Sequence, residues 1–282
     1  MMRIIKAFLL LLLILSALFA DPVFDHLVWS DEFNSAGYGP VDTSKWFHQT
    51  QLPIPGSWYN GEVQHYTNRI DNAIVHSGSL HLIAKKEIFT DQGYTKNYTS
   101  ARLNSKYAFR YGRIEVRAQL PEGVGTWPAI WLLGTNIDED GAYWDNLGYD
   151  TTPWPACGEI DIMEFLGHDT RTIYGTIHGP GHSGNGAIGN SHSIGQGGFH
   201  LGFHVYAIEW ESDRITWYID GFKYHEVKKS EFPAGATWVY DRPFFMLLNV
   251  AVGGRWPGSP DETTQFPQTM LVDYVRVFGE LP

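Results

Sequence analysis

Cysteine is almost missing from this chain. A single residue, Cys157, among 282 leaves no internal disulfide framework and no multi-cysteine zinc site. Stability must therefore come from packing, and any metal would have to be held by His and carboxylates. Positive charge is also scarce: 20 Lys and Arg against 31 Asp and Glu give a net charge of −11. A field of that sign repels phosphate backbones and anionic lipid surfaces, which excludes nucleic acid as the expected partner. Charges of both signs amount to only 18%, whereas 30 Gly, 15 Pro, 11 Trp, 15 Tyr and 16 Phe give the chain abundant turns and large apolar side chains. That composition excludes a disordered or long-helical protein and predicts a turn-rich, strand-rich one with a substantial core.

Long hydrophobic runs are missing except at the start. Arg3 and Lys6 precede the apolar run Ala7 to Leu15, and the stretch closes with Ser16, Ala17 and Ala20. Residues 7–20 fall short of the roughly 20 apolar residues a membrane span requires, and the pattern is that of a secretory signal peptide ending near residue 20. Losing Arg3 and Lys6 would take the charge from −11 to −13. The expectation is a secreted protein, extracellular or periplasmic, with no membrane span after processing. Residues 21–282 show no repeat, linker or low-complexity break, so they are read as one domain, with a monomer as the default.

Sustained helical periodicity is absent as well. Short alternating runs recur instead at Leu80 to Ala84, Arg113 to Gln119, Glu159 to Glu164, Thr172 to His178, His204 to Glu209, Arg214 to Ile219, Phe244 to Val250 and Met270 to Phe278. Asp220-Gly221 between Ile219 and Phe222 signals a tight hairpin, because both central positions of such a turn favour positive φ. The fold class is all-β, with two packed antiparallel sheets and few, short helices. The Gly-rich segment 179–198 reads as a long surface loop bordering a functional cleft; no Gly-Lys-Ser/Thr follows it, so it is not a phosphate cradle.

The strand Glu159-Ile160-Asp161-Ile162-Met163-Glu164 holds three acids in six otherwise apolar residues. Simple alternation puts Glu159 and Asp161 on one face and Glu164 on the other, but a bulge near Ile162 or Met163 would return Glu164 to the same face. The Glu159 and Glu164 backbones would then be about 13 Å apart, and side chains leaning together would leave roughly 5 Å between carboxyl groups. That is the spacing of a retaining glycosidase pair. Asp161 between them crowds like charges, so at least one acid should keep its proton near neutral pH. A calcium site or a solvent-facing acidic strand would also collect carboxylates, and spacing alone leaves these open.

At these residues the chain resembles glycoside hydrolase family 16, in the form whose motif carries the bulge. The resemblance extends to Trp29-Ser30-Asp31-Glu32-Phe33, the segment from Gly125 to Leu133, the Trp154 to Gly158 approach, Thr176 to Gly181, Leu248 to Gly258 and Asp273 to Val277. These run in order over residues 26–278 and are most similar to the laminarinase-like β-1,3-glucanases. The resemblance implies a jelly-roll sandwich of the concanavalin A-like lectin/glucanase type, with a polysaccharide cleft across one sheet. It implies Glu159 as nucleophile, Asp161 as its assistant, Glu164 as general acid and then base, and His178 as a neighbour in the cleft. A lone strand histidine is otherwise more often structural. Trp127, Trp131, Trp154 and Trp256 are the implied sugar-facing indoles, with Asn60 and Arg102 as hydroxyl partners, while Trp29, Trp210 and Trp217 read as core.

Relatives carry a structural calcium, and Glu32, Gly78 and Asp273 match its positions; no catalytic cofactor is implied. The segments 141–153 and 181–198 have no close family pattern, so endo action is a default. The motif is shared with enzymes acting on mixed-linkage glucan, agarose and carrageenan, and some relatives are non-catalytic β-glucan-binding proteins. Transglycosylation by the same mechanism stays open. Asn97-Tyr98-Thr99 fits the N-glycosylation pattern, whose relevance depends on the host.

Overall fold

The computed structural model describes residues 24–34 and 37–280; the leader at residues 1–20 lies outside the described residues. These form seventeen strands and four single 3₁₀ turns, with no α-helix among the described residues. Every strand read from alternation is present.

The strands make two sheets that share one core. The seven-stranded sheet runs, edge to edge, Ile188–Ser193, Thr172–His178, Glu159–Phe165, Thr126–Gly134, Phe244–Val252, Arg102–Phe109 and Trp46–His48. Its neighbours are all antiparallel. The ten-stranded sheet is centred on Gly112–Gln119 and Gln268–Glu280 and ends in the hairpin Arg214–Ile219 and Phe222–Lys228. Asp220 and Gly221 turn that hairpin with φ of 49° and 79°, the left-handed pair expected of the sequence.

Burial follows the pleat. In Gly112–Gln119, buried and half-buried residues alternate, so Ile114, Val116 and Ala118 point inward and Arg113, Glu115 and Arg117 outward. Phe244–Val252, at the heart of the other sheet, is buried at every position, so it reads as a continuous apolar run apart from Asn249. Between the sheets, Ile130, Leu132, Ile160, Ile162, Met163 and Phe165 pack with Trp210, Trp217 and Phe244 in one cluster. The inward face of the seven-stranded sheet is thus spent on the core, and its other face carries the polar residues described below.

One expectation needs correction. Residues 179–198 are not a continuous loop, because Ile188–Ser193 pairs along its whole length with Thr172–His178. It is an edge strand exposed on most of its side chains, so it needs backbone pairing and no apolar alternation. Sequence pattern therefore carries no sign of it.

Candidate active site

The register around Glu159–Phe165 contains the bulge. Toward Thr172–His178, Asp161 lies opposite Thr176 and Glu164 opposite Tyr174, three residues against two. Toward Thr126–Gly134, Asp161 to Met163 spans Trp131 to Ile130, two against one. The extra residue lets Ile162 and Met163 both enter the core and brings Glu164 back to the open face beside Glu159 and Asp161. A second element fixes the irregularity: the buried Trp217, from the opposite sheet, donates its indole N–H to the Asp161 carbonyl at 2.8 Å. Gly175 permits that approach, since a Cβ there would lie 2.5 Å from the Trp217 ring.

Indoles and a histidine surround the three acids. Trp154 donates to Glu159 Oε2 at 3.0 Å and Trp127 to Glu164 Oε1 at 3.1 Å. His178 Nε2 lies 3.3 Å from Asp161 Oδ2 and 3.6 Å from Glu159 Oε1, while its Nδ1 accepts the Gly184 N–H at 3.2 Å. Burial raises Glu159 to about 7, helped by the Asp161 charge and opposed by His178 and the Trp154 N–H. Burial also holds Glu164 well above the usual carboxylate range, with Asp161 and Glu159 adding to it. For His178, burial disfavours a charge, but Glu159 first and then Asp161 and Glu164 raise its proton affinity above that of a free imidazole. The pair Glu159 and Glu164 can therefore share a proton near neutral pH, which a base-and-acid couple requires. Cys157, two residues before Glu159, is fully buried, and burial together with the Glu159 charge keeps its thiol protonated.

The expected aromatic residues frame this centre. Trp256 and Trp154 are 42% and 45% exposed, large for indoles on a folded surface and open to a ligand. Trp256 packs edge-on against Trp127 and Tyr174 on the Glu164 side, and Trp154 lies against His178 on the Glu159 side. Asn60 is exposed in a 3₁₀ turn, and its carbonyl accepts the Arg255 N–H, tying that turn to the Trp256 loop. Trp29, expected in the core, is half-buried and stacks on Tyr107.

Arg102 occupies a different environment from an exposed hydroxyl partner. It is 5% exposed, its guanidinium lies between the rings of Trp58 and Trp131, and it bonds Glu139 at 2.7 Å and Gln49 at 2.8 Å. Gln49 also bonds Glu139 and Asn104. A second chain runs beside it: Trp131 donates to Asn249, Asn249 to the Tyr66 hydroxyl, and Tyr66 to Glu62. Gln49, Glu62, Tyr66, Glu139 and Asn249 thus brace the Trp131 platform. Sequence reasoning missed these roles, since the partners are up to 183 residues apart and no local spacing links them.

Metal chemistry has two places to be tested. Donor atoms of Glu159, Asp161 and His178 lie within 4.8 Å of one another, but their arrangement is accounted for by the acid and imidazole contacts above. The calcium expectation falls where Gln268–Glu280 changes neighbour. Leu80 pairs with Val272 and Asp31 with Val275, which carries Gly78 and Glu32 toward Asp273. Both carboxylates already have guanidinium partners: Glu32 holds Arg276 through two bonds, and Asp273 holds Arg117 at 2.6 Å.

Comparison with known proteins agrees with this geometry. The model of glycosyl hydrolases family 16 matches residues 60–276. The β-glucanase of Rhodothermus marinus is 38% identical over 261 residues, which cover 89% of this chain and 84% of that protein. Glucan endo-1,3-β-glucosidase A1 of Niallia circulans is 36% identical over 273 residues, and this chain spans only 38% of its length. The crystal structure of the laminarinase catalytic domain of Thermotoga maritima MSB8 matches with a TM-score of 0.81 at 48% identity, covering 91% of this chain and 99% of that one. Agreement of this extent, in sequence and in fold, makes the chain a member of glycosyl hydrolase family 16.

Proposed function

We propose that this protein is a secreted, retaining endo-glycosidase that hydrolyses β-1,3-glucan of the laminarin type. The observation that carries the reading is the bulge, which puts Glu164 on the same face as Glu159 with Asp161 between them and His178 opposite Glu159 on the neighbouring strand. Glu159 attacks the anomeric carbon, Glu164 protonates the departing oxygen, and a glycosyl ester forms on Glu159. Glu164, now a carboxylate, takes a proton from water as the ester is cleaved. Trp127, Trp131, Trp154 and Trp256 offer faces for pyranose rings, braced by Arg102 and Asn249. The β-1,3 linkage is supported by the relatives, a laminarinase among them.

The test is reducing-end release from laminarin, lichenan, agarose and carrageenan, run beside Glu159→Gln and Glu164→Gln. The expected result is rapid release from laminarin, absent in both variants. Activity confined to another polymer would move the substrate and keep the chemistry, whereas binding without release would make the protein a lectin-like glucan binder.

A structural calcium ion at Glu32, Gly78 and Asp273 is also part of the proposal, with hard oxygen donors suited to it. Binding would require Glu32 and Asp273 to exchange Arg276 and Arg117 for the ion. A chelator should then lower the melting temperature more than the activity measured well below it; an unchanged melting curve leaves the ion pairs as the resident state.

A further inference from the structure

Glu62, Gln64 and Tyr66 alternate along an extended run, which puts their side chains on one face of the chain. Gln64 and Tyr66 donate to the same atom, Glu62 Oε2, at 2.6 and 3.1 Å. Both donors are fully buried, so each needs the acceptor it meets.

Two groups that can only donate fix the system from outside. The Val252 backbone N–H donates to Gln64 Oε1 at 2.8 Å, which leaves the Gln64 NH₂ to face Glu62. The Trp131 indole N–H donates to Asn249 Oδ1 at 2.8 Å, which turns the Asn249 NH₂ toward the Tyr66 oxygen, 3.2 Å away. With its oxygen accepting there, Tyr66 sends its single hydrogen to Glu62. Every bond from Trp131 to Glu62 therefore points the same way, and the carboxylate is where the hydrogens end. Burial first, then the Glu62 charge, hold the Tyr66 phenol well above its ordinary value, while the Asn249 bond works the other way, as a bond donated to the phenol oxygen must.

The Arg102 guanidinium lies 4.9 Å from a Trp131 ring centre and covers one face of that indole, which leaves the other face for a ligand. A cation stacked on a ring does not fix how the ring is turned in its own plane. The single N–H of the indole is its only directional tie, and it depends on which way the Asn249 amide is turned.

We propose that Glu62 is a positioning residue for substrate: as the terminal acceptor it sets the direction of the bonds between itself and Trp131, and so fixes how that indole meets a pyranose ring. This rests on the glycosidase reading above. Without an acceptor at residue 62, the buried Tyr66 hydroxyl has to send its hydrogen to Asn249. The amide then flips and sets its NH₂ against the indole N–H, donor against donor, and Trp131 loses its tie.

NMR on the full chain reads the direction first. In the unmodified protein the Asn249 NH₂ hydrogens should contact the Tyr66 ring and not the Trp131 indole hydrogen, whose signal is identified by its loss in Trp131→Phe. An Asn249 NH₂ beside the indole hydrogen would overturn the proposal, whatever the variants do. The variants then test the dependence on Glu62. Glu62→Met keeps the length of the side chain and removes the acceptor; Glu62→Gln keeps an oxygen for Tyr66. In Glu62→Met the indole signal should shift, and KM for laminarin should rise about tenfold with kcat within about twofold, because the platform binds ground state and transition state alike. Glu62→Gln should restore both. Adding Tyr66→Phe to Glu62→Met removes the hydrogen that drives the flip, so the indole signal should return toward its parent position and KM to within about threefold of the parent value. An indole signal unmoved in Glu62→Met, a fall in kcat at constant KM, or a double variant worse than Glu62→Met would show a residue that merely packs and would sink the assignment. If the unmodified enzyme cleaves no polysaccharide, the glycosidase reading fails while the indole signals still decide the role of Glu62.

Discussion

Replacing Trp217 by Phe tests whether the bulge is held from the opposite sheet. The substitution keeps an aromatic ring in a fully buried site but removes the indole N–H that meets the Asp161 carbonyl at 2.8 Å. That carbonyl sits where the strand leaves its regular ladder, immediately before the bulge. Orphaning a buried carbonyl costs about 1–3 kcal/mol. The smaller ring leaves a void worth roughly 1–2 kcal/mol more. The sum, about 2–5 kcal/mol, corresponds to a fall of roughly 4–20 °C in melting temperature for a chain of this size. The kinetic effect follows from geometry: if the Asp161 carbonyl drifts, Glu159 and Glu164 lose their mutual placement, and misplacement by about 1 Å costs on the order of 100-fold. We expect kcat on laminarin to drop by about 10-fold to 100-fold with KM changed little. Calorimetry and steady-state kinetics on the same preparation decide it. Full kcat in a protein of lowered melting temperature would refute the positioning role, and an unchanged melting temperature would refute the energetics.

The raised Glu159 makes the site a stability cost with a definite sign. The folded protein binds this proton more tightly than the unfolded chain, so stability is greatest below the ordinary carboxylate range and falls as pH rises through about 7. Glu159→Gln should therefore be more stable than the parent at pH 8 by up to about 3 kcal/mol and show little gain near pH 4; denaturant titrations at the two pH values measure it, and an equal gain at both would contradict the linkage. Glu139→Ala leaves Arg102 buried without its carboxylate and should cost about 3–5 kcal/mol, read in urea. Glu139→Gln, which keeps an oxygen toward Arg102 and Gln49, should lose less; equal losses would show that packing and not charge is at stake.

Much of this molecule was legible because its strands repeat every two residues and each buries one face. The acid hexapeptide also broke that rule in a way only a bulge repairs. The hairpin at Asp220-Gly221 was legible from local chemistry alone. Ile188–Ser193 was not, because an exposed edge strand of Gly, Asn, Ser and His needs only backbone pairing and leaves no periodic trace. The brace around Trp131 was hidden for another reason. Gln49, Tyr66, Arg102, Glu139 and Asn249 lie far apart in the chain, and each alone resembles an ordinary surface polar residue. Arg102 shows the limit most clearly: its position was recognised, yet its enclosure by Trp58 and Trp131 depends on contacts no linear pattern encodes. Trp217 was correctly read as core, and its bond to the irregular strand is invisible until both sheets are in place.

Cys157 gives the folded enzyme an internal clock. It is the chain's sole thiol, and it sits fully buried two residues ahead of Glu159. A thiol-directed reagent can reach it only when the beginning of that strand comes away from its neighbours, and burial keeps the sulfur in its unreactive protonated form until then. The labelling rate in native buffer therefore counts openings of the segment that carries Glu159, separately from unfolding of the whole protein. Any ligand that bridges Trp154 and Trp256 across the open face should slow that rate by tightening the same strand.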